Sequence, residues 1–367
     1  MSFSRIAKRL ATNAAMTAER LIVSSNSSPL NEIKHFLLLQ HQSALGTAIH
    51  ATPLIPALRH AVPDCRIAVA ASGFALEVMR NNPGIDHLLE TPSPLHNLQG
   101  AVRTLRDHNP FGKTAYIAIT STGNERTKIA AQAILSGANT RVGFTVVPQL
   151  YRTALSFDNT MSQIANNLRI VEALGYPARH FEPQMFFTEA DQATARELLT
   201  TNGAPSGKPI AIFITQTSIG QRKSWRADRF QAVARFLAER YGLHIVFIGT
   251  KAESAAIDQL RSNLPFPTTN VAGKTSLTVL AALMSNATIG LALDTGPMHI
   301  GRAVGLPTVI IAPAWSPPIE WLPLDNPCFR ILKNADLASA PPGYIIDEVS
   351  VDHVIGALDS LLECYLR

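Results

Sequence analysis

Short apolar runs alternate with amphipathic stretches from about residue 33 onward. Buried parallel strands have near-continuous apolar sequences, and the helices that connect them carry one apolar face. The alternation therefore predicts an α/β fold with a parallel sheet in each half of the chain. The predicted strands lie near residues 35–40, 66–71, 86–90, 115–120, 209–215, 243–249, 268–271, 288–293 and 307–312, with a short strand or turn at 140–144.

The amphipathic stretches between these runs predict the helices. They lie near residues 46–60, 73–82, 96–108, 124–136, 160–174, 189–201, 226–241, 252–263, 276–285, 297–304 and 351–366. The helix near 160–174 is followed by Gly175 and Pro177, a typical helix stop. The residues after it show little periodicity, which indicates a linker.

A chain of 367 residues is too long for one ordinary core, so two domains are expected. The pattern predicts two Rossmann-like domains that face each other across a cleft. The predicted divisions are an N-terminal arm (1–32), a first Rossmann-like domain (33–176), a linker (177–187), a second Rossmann-like domain (188–348) and a C-terminal helix (349–367).

Composition narrows the class of partner. Hydrophobic residues make up 46% of the chain and charged residues 16%, which is typical of a globular protein. The formal net charge is +5, but lysine and arginine are scattered, which favours acidic small molecules or an anionic membrane surface over nucleic acid. The three cysteines lack metal-ligand spacing and are expected to be reduced thiols in a cytosolic protein.

The N-terminal arm has an amphipathic pattern. In residues 1–23 one helical face would carry Phe3, Ile6, Leu10 and Ala14, and the opposite face Arg5, Lys8 and Arg9. One interpretation is a helix that lies in a membrane surface. The other, which we favour, is an arm packed on the body of the protein. No run of 18 apolar residues occurs, so no membrane span is expected.

The segment "LALDTGPMHIGRAVGLPTVIIAPAW" (291–315) carries candidate chemistry. Its apolar strand ends at Asp294, and a turn through Thr295, Gly296 and Pro297 leads into a helix that carries His299. Unpaired N–H groups at such a helix start suit a diphosphate. The sequence has neither G-x-G-x-x-G after a strand nor G-x-x-x-x-G-K-[ST]. The motifs that usually indicate a dinucleotide-dependent oxidoreductase or a P-loop enzyme are therefore missing from the sequence.

This segment resembles the D-T-G-x-x-H signature of bacterial glycosyltransferase family nine, the lipopolysaccharide heptosyltransferases. The resemblance extends from about residue 33 to 320, and the arm lies outside it. Further matches occur in order and spacing: "SALGTAIHATPLIPALRHAVPDCRI", "NNPGIDHLLE", "RVGF", "LRIVEALG" and "NVAGKTSLTVLAALMSNATIGLALDTGPMH".

The resemblance implies a GT-B fold whose N-terminal domain receives the acceptor and whose C-terminal domain holds a nucleotide-sugar. It implies inverting transfer of heptose from ADP-heptose to a lipopolysaccharide-core or related anionic glycan acceptor, with no cofactor and no metal. No Asp-x-Asp metal motif appears in the sequence. The expected location is the cytoplasm, with contact at the inner face of the membrane through residues 1–23 as the membrane interpretation of the arm.

The resemblance also assigns donor contacts. Lys223, in "TQTSIGQRKSW", matches the lysine that contacts the donor phosphate, and Glu253 matches the acidic residue that reaches the donor ribose. For Glu253 the alternative is an exposed glutamate that starts a helix. The other matched residues are the hydroxyl side chains Thr217 and Ser218 and the phosphate-binding turn Asp294, Thr295, Gly296 and His299.

The acceptor-side loop departs from the family pattern. It comprises Ser43, Ala44, Leu45 and Gly46. The next residue in the family is normally an aspartate that acts as the base, but here it is Thr47. Threonine is expected to cap the helix, whereas its hydroxyl is not a proton acceptor at neutral pH. His50, one turn later, is a candidate replacement base, and His41 is a weaker one.

Three explanations of Thr47 stay open at this point. A histidine replaces the base, or a related transferase with a different donor or acceptor works slowly without a strong base. In the third, the protein is a non-catalytic nucleotide- or glycan-binding relative. An epimerase on the same scaffold has less support, because the matched motifs are those of the heptosyltransferases. The leading hypothesis is a glycosyltransferase, with Thr47 and His50 at the catalytic position.

Overall fold

The computed structural model describes residue 14 and residues 29–217, 222–334 and 336–365, without the side chains of Pro318 and Tyr365. The chain divides into two compact units, Met1–Glu182 and Pro183–Arg367. The division falls inside the segment 177–187 that the sequence suggests as the linker. Apart from Ala14, the amphipathic face of the arm lies outside the described residues.

The first unit contains a six-stranded sheet in which every neighbouring pair of strands is parallel. The strands are β1 (His35–Gln40), β2 (Arg66–Ala71), β3 (His87–Glu90), β4 (Ile117–Thr120), β5 (Thr140–Phe144) and β6 (Thr153–Leu155). The α-helices are α1 (Leu45–His50), α2 (Leu54–Ala61), α3 (Phe74–Met79), α4 (Leu98–Asp107), α5 (Thr127–Leu135) and α6 (Gln163–Ala173). Short 3₁₀ turns form at Leu30–Glu32 and Pro148–Leu150.

The second unit contains a second six-stranded parallel sheet. Its strands are β7 (Ile210–Ile214), β8 (His244–Phe247), β9 (Thr269–Asn270), β10 (Ile289–Leu293), β11 (Thr308–Ile311) and β12 (Phe329–Leu332). Its α-helices are α7 (Glu189–Thr201), α8 (Ala227–Tyr241), α9 (Ser254–Arg261), α10 (Leu277–Ser285), α11 (Gly296–Ala303), α12 (Pro318–Trp321) and α13 (Val351–Tyr365), and Lys251–Glu253 forms a 3₁₀ turn.

The two sheets share one topology. The strand orders are β3-β2-β1-β4-β5-β6 and β12-β11-β10-β7-β8-β9, which is the Rossmann order in both units. The order reverses between β1 and β4 in the first sheet and between β7 and β10 in the second. At such a reversal the connections leave toward opposite faces, and the crevice at the carboxyl ends of the strands is where ligands bind. Two Rossmann-like units in one chain make the predicted GT-B fold.

Burial explains why the apolar runs form central strands. Phe36, Leu38 and Leu39 of β1 are 0% exposed, because helices cover both faces of a parallel sheet. The last strand of each sheet was not expected from the sequence. Side chains of β6 are only partly covered, and β12 begins with a single buried residue, Phe329, so neither has the continuous apolar run on which the prediction rests.

The helix predicted near 46–60 is divided into α1 and α2. Pro53 has no N–H group to donate to the carbonyl of Ile49, so the helix cannot continue through it. Thr52 donates to that carbonyl instead, from its amide at 3.0 Å and from its hydroxyl at 2.8 Å. Pro56 lies in the first turn of α2, where a missing N–H group costs little.

None of the helices in the described part of the chain is both long and apolar enough to cross a bilayer.

Candidate functional site

The acceptor-side loop lies at the reversal point of the first sheet. It follows β1, and the adjacent strand β4 ends in the loop 121–126, so the two loops emerge side by side. Ser43 and Ala44 are exposed, Leu45 is half-buried and Gly46 is buried. Thr47 is half-buried in the first turn of α1.

The expectation that Thr47 caps this helix is wrong. The N-cap is Ala44, with extended backbone (φ −108°, ψ 133°), and it provides no side-chain cap. Helix α1 begins at Leu45, so Thr47 is the third helical residue. The helix starts at Leu45, one residue before the predicted range near 46–60, so position 47 lies inside its first turn. An aspartate at position 47 would therefore lie near the positive end of a helix rather than act as its cap.

His41 is held by its neighbours on three sides. Its amide donates to Oδ1 of Asn124 at 2.8 Å, and its ring nitrogens lie 2.9 Å from Oγ of Ser72 and 2.9 Å from Oε1 of Gln132. Burial lowers the pKa of His41 to about 4, although the hydrogen bond to Gln132 raises it in part. This neutral, enclosed ring ties β1 to its neighbours, and we do not assign it the base role that the sequence allowed.

His50 is also enclosed. It ends α1 with 1% of its surface exposed, and its backbone carbonyl accepts a hydrogen bond from Nδ2 of Asn167 at 3.0 Å. A base must reach the hydroxyl from which it takes a proton. A side chain this buried does not reach a sugar in solution, so the structure argues for packing and against catalysis by His50. The sequence pointed to His50 because it lies one turn after Thr47. That spacing does not show which face of α1 is covered by the rest of the unit.

Two of the predicted donor residues, Lys223 and Asp294, meet at the equivalent reversal point of the second unit. Lys223 follows β7 and Asp294 follows β10, and these two strands are paired. Nζ of Lys223 donates to Oδ2 of Asp294 at 2.7 Å and to its backbone carbonyl at 3.3 Å. The lysine predicted to hold a phosphate is therefore positioned by the aspartate of the predicted phosphate turn.

The predicted turn into a helix at residues 294–299 is confirmed. Helix α11 begins at Gly296, directly after the extended N-cap Thr295, and Pro297 occupies its first turn. No side-chain cap from Thr295 is found at this end of the described helix. Thr295 and Gly296 are half-buried. The start of α11 therefore presents backbone N–H groups and the positive end of the helix dipole beside Lys223.

His299 lies one turn into α11 and is 4% exposed. Burial lowers its pKa to about 4; Asp294 opposes this shift, while Arg302 and Lys223 contribute to it. The ring is therefore neutral at pH 7 and offers a phosphate at most one N–H donor and no charge. It packs against Trp321, with the ring centroids 6.0 Å apart.

The remaining predicted donor residues are Glu253, Thr217 and Ser218, and within the described residues the structure gives hydrogen bonds only for Glu253. Oε2 of Glu253 accepts a hydrogen bond from the amide of Thr250 at 2.7 Å, and the pair forms a capping box. The second carboxylate oxygen has acceptor capacity for a ribose hydroxyl. Thr217 is half-buried in the loop after β7, and Ser218 lies outside the described residues.

Trp315 is a residue that the sequence argument missed. Its indole N–H donates to the carbonyl of Arg222 at 3.0 Å, and Nζ of Lys223 lies 5.5 Å from its ring centroid. The sequence could have pointed to Trp315 through its place in the loop after β11. This strand pairs with β10 in parallel, so both strands end at the same edge of the sheet. Among residues 29–217, 222–334 and 336–365, no group of three histidine, cysteine or acidic side chains is arranged to hold a metal ion.

The chain is similar to known glycosyltransferases in sequence and in fold. The family model described as "Glycosyltransferase family 9 (heptosyltransferase)" matches residues 137–326, just over half of the chain. Lipopolysaccharide core heptosyltransferase OpsX of Haemophilus influenzae is 28% identical over 167 residues, which cover 41% of this chain and 48% of that protein. Lipopolysaccharide heptosyltransferase 3 of Escherichia coli is 24% identical over 72% of this chain and 78% of its own length. The match thus spans about half of the first relative and about three quarters of the second.

Solved structures share the fold. The crystal structure of a family 9 glycosyltransferase from Veillonella parvula superposes with a TM-score of 0.78, at 22% identity, over 89% of this chain and 97% of that one. The Escherichia coli ADP-heptose lipopolysaccharide heptosyltransferase II gives a TM-score of 0.72 at 18% identity, over 90% and 99% of the two chains.

Proposed function

Because the chain belongs to glycosyltransferase family 9, we propose that it is an inverting, metal-independent transferase that moves heptose from ADP-heptose to a lipopolysaccharide-core glycan or a related acceptor. The observation that carries this proposal is the contact between Lys223 and Asp294 at the start of α11. It combines a cation and a helix N-terminus at the reversal point of a Rossmann sheet, where nucleotide diphosphates bind.

The donor would lie at the carboxyl edge of the second sheet. Lys223 and the N–H groups at the start of α11 would bind the diphosphate. Thr217, Ser218, Thr295 and Gly296 would provide hydroxyl and backbone contacts, and Glu253 would accept hydrogen bonds from the ribose. Trp315 would limit where the Lys223 ammonium can move, since its ring lies beside Nζ.

The acceptor would bind at the loop Ser43–Gly46 of the first unit. Its hydroxyl oxygen forms a bond to the anomeric carbon and transfers its proton to a base. The bond from that carbon to the phosphate oxygen breaks, and the electron pair leaves with ADP. Lys223 and the N–H groups of α11 would stabilise the charge that develops on the leaving diphosphate, without a metal ion.

Thr47 supports a second candidate, a relative that binds nucleotide or glycan without turnover. Its hydroxyl cannot replace a carboxylate base at neutral pH. A different donor or acceptor is a further alternative within the transferase class. Lys223 beside the start of α11 favours the transferase over a binder of glycan alone, which has no need of a diphosphate site.

A thermal-shift panel with ADP-, UDP- and GDP-sugars tests the donor class, since a ligand that binds the native state raises the unfolding temperature. ADP-heptose and ADP are expected to raise it, and UDP- and GDP-sugars much less. Transfer to a lipopolysaccharide-core acceptor then separates the enzyme from the binder. Stabilisation by ADP-heptose with neither transfer nor hydrolysis would favour the binder, and no response to any nucleotide would refute both the donor site and the proposed activity.

A further inference from the structure

We propose that Glu125 supplies the carboxylate that is missing at position 47, and that it acts as the base for the acceptor hydroxyl. This proposal rests on the transferase function above. The observation behind it is that Glu125 and Thr47 lie against the same residue, Gly123.

Sheet topology brings the two loops together. Glu125 belongs to the loop 121–126 after β4, and Thr47 follows the loop after β1. These strands pair in parallel, with Leu39 opposite Thr120 at their carboxyl ends. The strand order reverses between them, so this edge is the crevice where a Rossmann unit binds its ligand.

Hydrogen bonds join the loop 121–126, which carries Glu125, to His41 and Gln42, which directly precede the acceptor-side loop. Nε2 of Gln42 donates to Oγ of Ser121 at 3.0 Å and lies 3.4 Å from the carbonyl of Thr122. The amide of His41 donates to Oδ1 of Asn124 at 2.8 Å. The loop that carries Glu125 is therefore fixed by buried contacts at the three residues Ser121, Thr122 and Asn124, which precede Glu125 in sequence.

Gly123 forms the direct link. Its φ of +82° is in the region that favours glycine, and a Cβ atom added there would come within 2.6 Å of Cγ2 of Thr47. The amide of Gly123 donates to Oε1 of Glu125 at 3.0 Å. The Glu125 carboxylate is thus bound by the amide of the glycine that packs against Thr47, and this shared glycine is the link between the two side chains.

The accessible surface favours Glu125 over the two histidines. Glu125 is half-buried and Gly123 is exposed, so this part of the loop is open to a ligand. His50 is 1% exposed and His41 is 5% exposed with both ring nitrogens in hydrogen bonds. A carboxylate also has the chemistry for the step, because it accepts a proton and needs no other group to activate it.

In the proposed step the acceptor O–H bond breaks and its proton goes to a carboxylate oxygen of Glu125. The electron pair of that bond forms the new bond from oxygen to the anomeric carbon. The carbon–oxygen bond to the diphosphate breaks, and ADP leaves with that electron pair. No oxidant, reductant or further reactant is needed.

Glu125→Gln tests the base directly, since glutamine keeps the acceptor for the Gly123 amide and loses the proton acceptor. Positioned bases contribute about 10²–10⁴-fold, so kcat for transfer is expected to fall by a factor in that range, with little change in KM or in the affinity for ADP. The matched control is Glu77→Gln in α3, where the glutamate pairs with Arg80 at 3.2 Å; it should leave kcat unchanged. Thermal melting of each variant confirms that it is folded.

The double variant Glu125→Gln, Thr47→Asp provides the second measurement. An aspartate at position 47 should restore much of the kcat that Glu125→Gln loses. In the unmodified background Thr47→Asp should gain far less, because the base is already present and the two substitutions are not additive.

Two results would overturn the proposal, and they differ. If the unmodified protein transfers sugar and Glu125→Gln keeps full kcat, Glu125 is not the base. The transferase function would then still stand. Absence of transfer by the unmodified protein and by every variant, with ADP still bound, would refute the transferase and the role of Glu125 together.

Discussion

The ammonium group of Lys223 lies 2.7 Å from Oδ2 of Asp294, at the point of the second sheet where the strand order reverses. Only 15% of the lysine side chain and 5% of the aspartate side chain are exposed. Removing one member of a pair this buried leaves the other charge uncompensated. A diphosphate bound at the proposed site would therefore meet a lysine that is already oriented, and the negative charge of Asp294 would make the N–H groups of α11 important for binding the anion.

Lys223→Ala is expected to weaken ADP binding by about 1.5–3 kcal/mol, the range for a hydrogen bond to a charged group. The loss has two causes: the diphosphate loses a cation, and the unpaired Asp294 carboxylate repels it. Isothermal titration calorimetry measures the affinity. Lys208→Ala is the control, because Lys208 is an exposed lysine of the same unit outside the donor site.

Gly296→Val tests the other half of the donor site. A branched side chain at the first residue of α11 should block close approach of the diphosphate and weaken ADP binding at least as much as Lys223→Ala. Gly356→Val in α13 is the matched control, since a Cβ atom there meets nothing within 4 Å. Unchanged affinity in both Lys223→Ala and Gly296→Val would place the nucleotide elsewhere.

Glu253 separates ribose binding from helix capping. If it accepts hydrogen bonds from the ribose, Glu253→Ala should weaken ADP binding by about 1–2 kcal/mol. The binding of inorganic pyrophosphate, which has no ribose, should not change. If Glu253 acts only in the capping box with Thr250, Glu253→Ala should lower the unfolding temperature. The affinities for ADP and for pyrophosphate should then equal those of the unmodified protein. Calorimetry with the two ligands, together with a melting curve, distinguishes these outcomes.

Stability should fall as the pH is lowered from about 6.5 towards about 4, because the pKa values of His41 and His299 are both lowered to about 4 by burial. In this interval the unfolded chain binds protons that the folded chain excludes. The stabilisation is complete above the unfolded pKa and disappears as the pH falls through the folded pKa. Urea unfolding at pH 7 and pH 5 measures the difference, and His41→Gln should reduce it; equal stability at the two pH values would contradict the assigned shifts.

The sequence predicted the parts of the fold that depend on local pattern. The run Phe36-Leu37-Leu38-Leu39 identified β1 because a buried parallel strand needs continuous apolar side chains. Gly296 and Pro297 identified the start of α11 through their own backbone preferences. The break at Pro53 had the same kind of signal, but the amphipathic pattern on both sides of it concealed the division.

Contacts between distant residues could not be predicted in this way. Lys223 and Asp294 are 71 positions apart, and only the pairing of β7 with β10 brings them together. The enclosure of His50 depends on which face of α1 the rest of the unit covers. Glu125 is linked to Thr47 through Gly123 of its own loop, a relationship that requires the register of β1 against β4.

The N-terminal arm provides the last prediction, which rests on sequence alone because nearly all of it lies outside the described residues. The favoured interpretation is that Phe3, Ile6 and Leu10 pack on the protein. Full burial of one such side chain contributes about 1.5–3 kcal/mol, so deletion of residues 1–23 should lower the free energy of unfolding by about 2 kcal/mol or more. ADP binding and binding to anionic vesicles should not change.

A charge variant separates this outcome from the membrane interpretation. Replacement of Arg5, Lys8 and Arg9 by glutamine keeps the apolar face and removes the basic one. Each basic residue near an anionic surface contributes about 1 kcal/mol, so a helix that lies in the membrane surface would lose most of its vesicle binding in this variant. A packed arm would lose neither stability nor any vesicle binding. Co-sedimentation with vesicles that contain anionic lipid, alongside urea unfolding, therefore assigns the arm, and release from vesicles without loss of stability would overturn the packing interpretation.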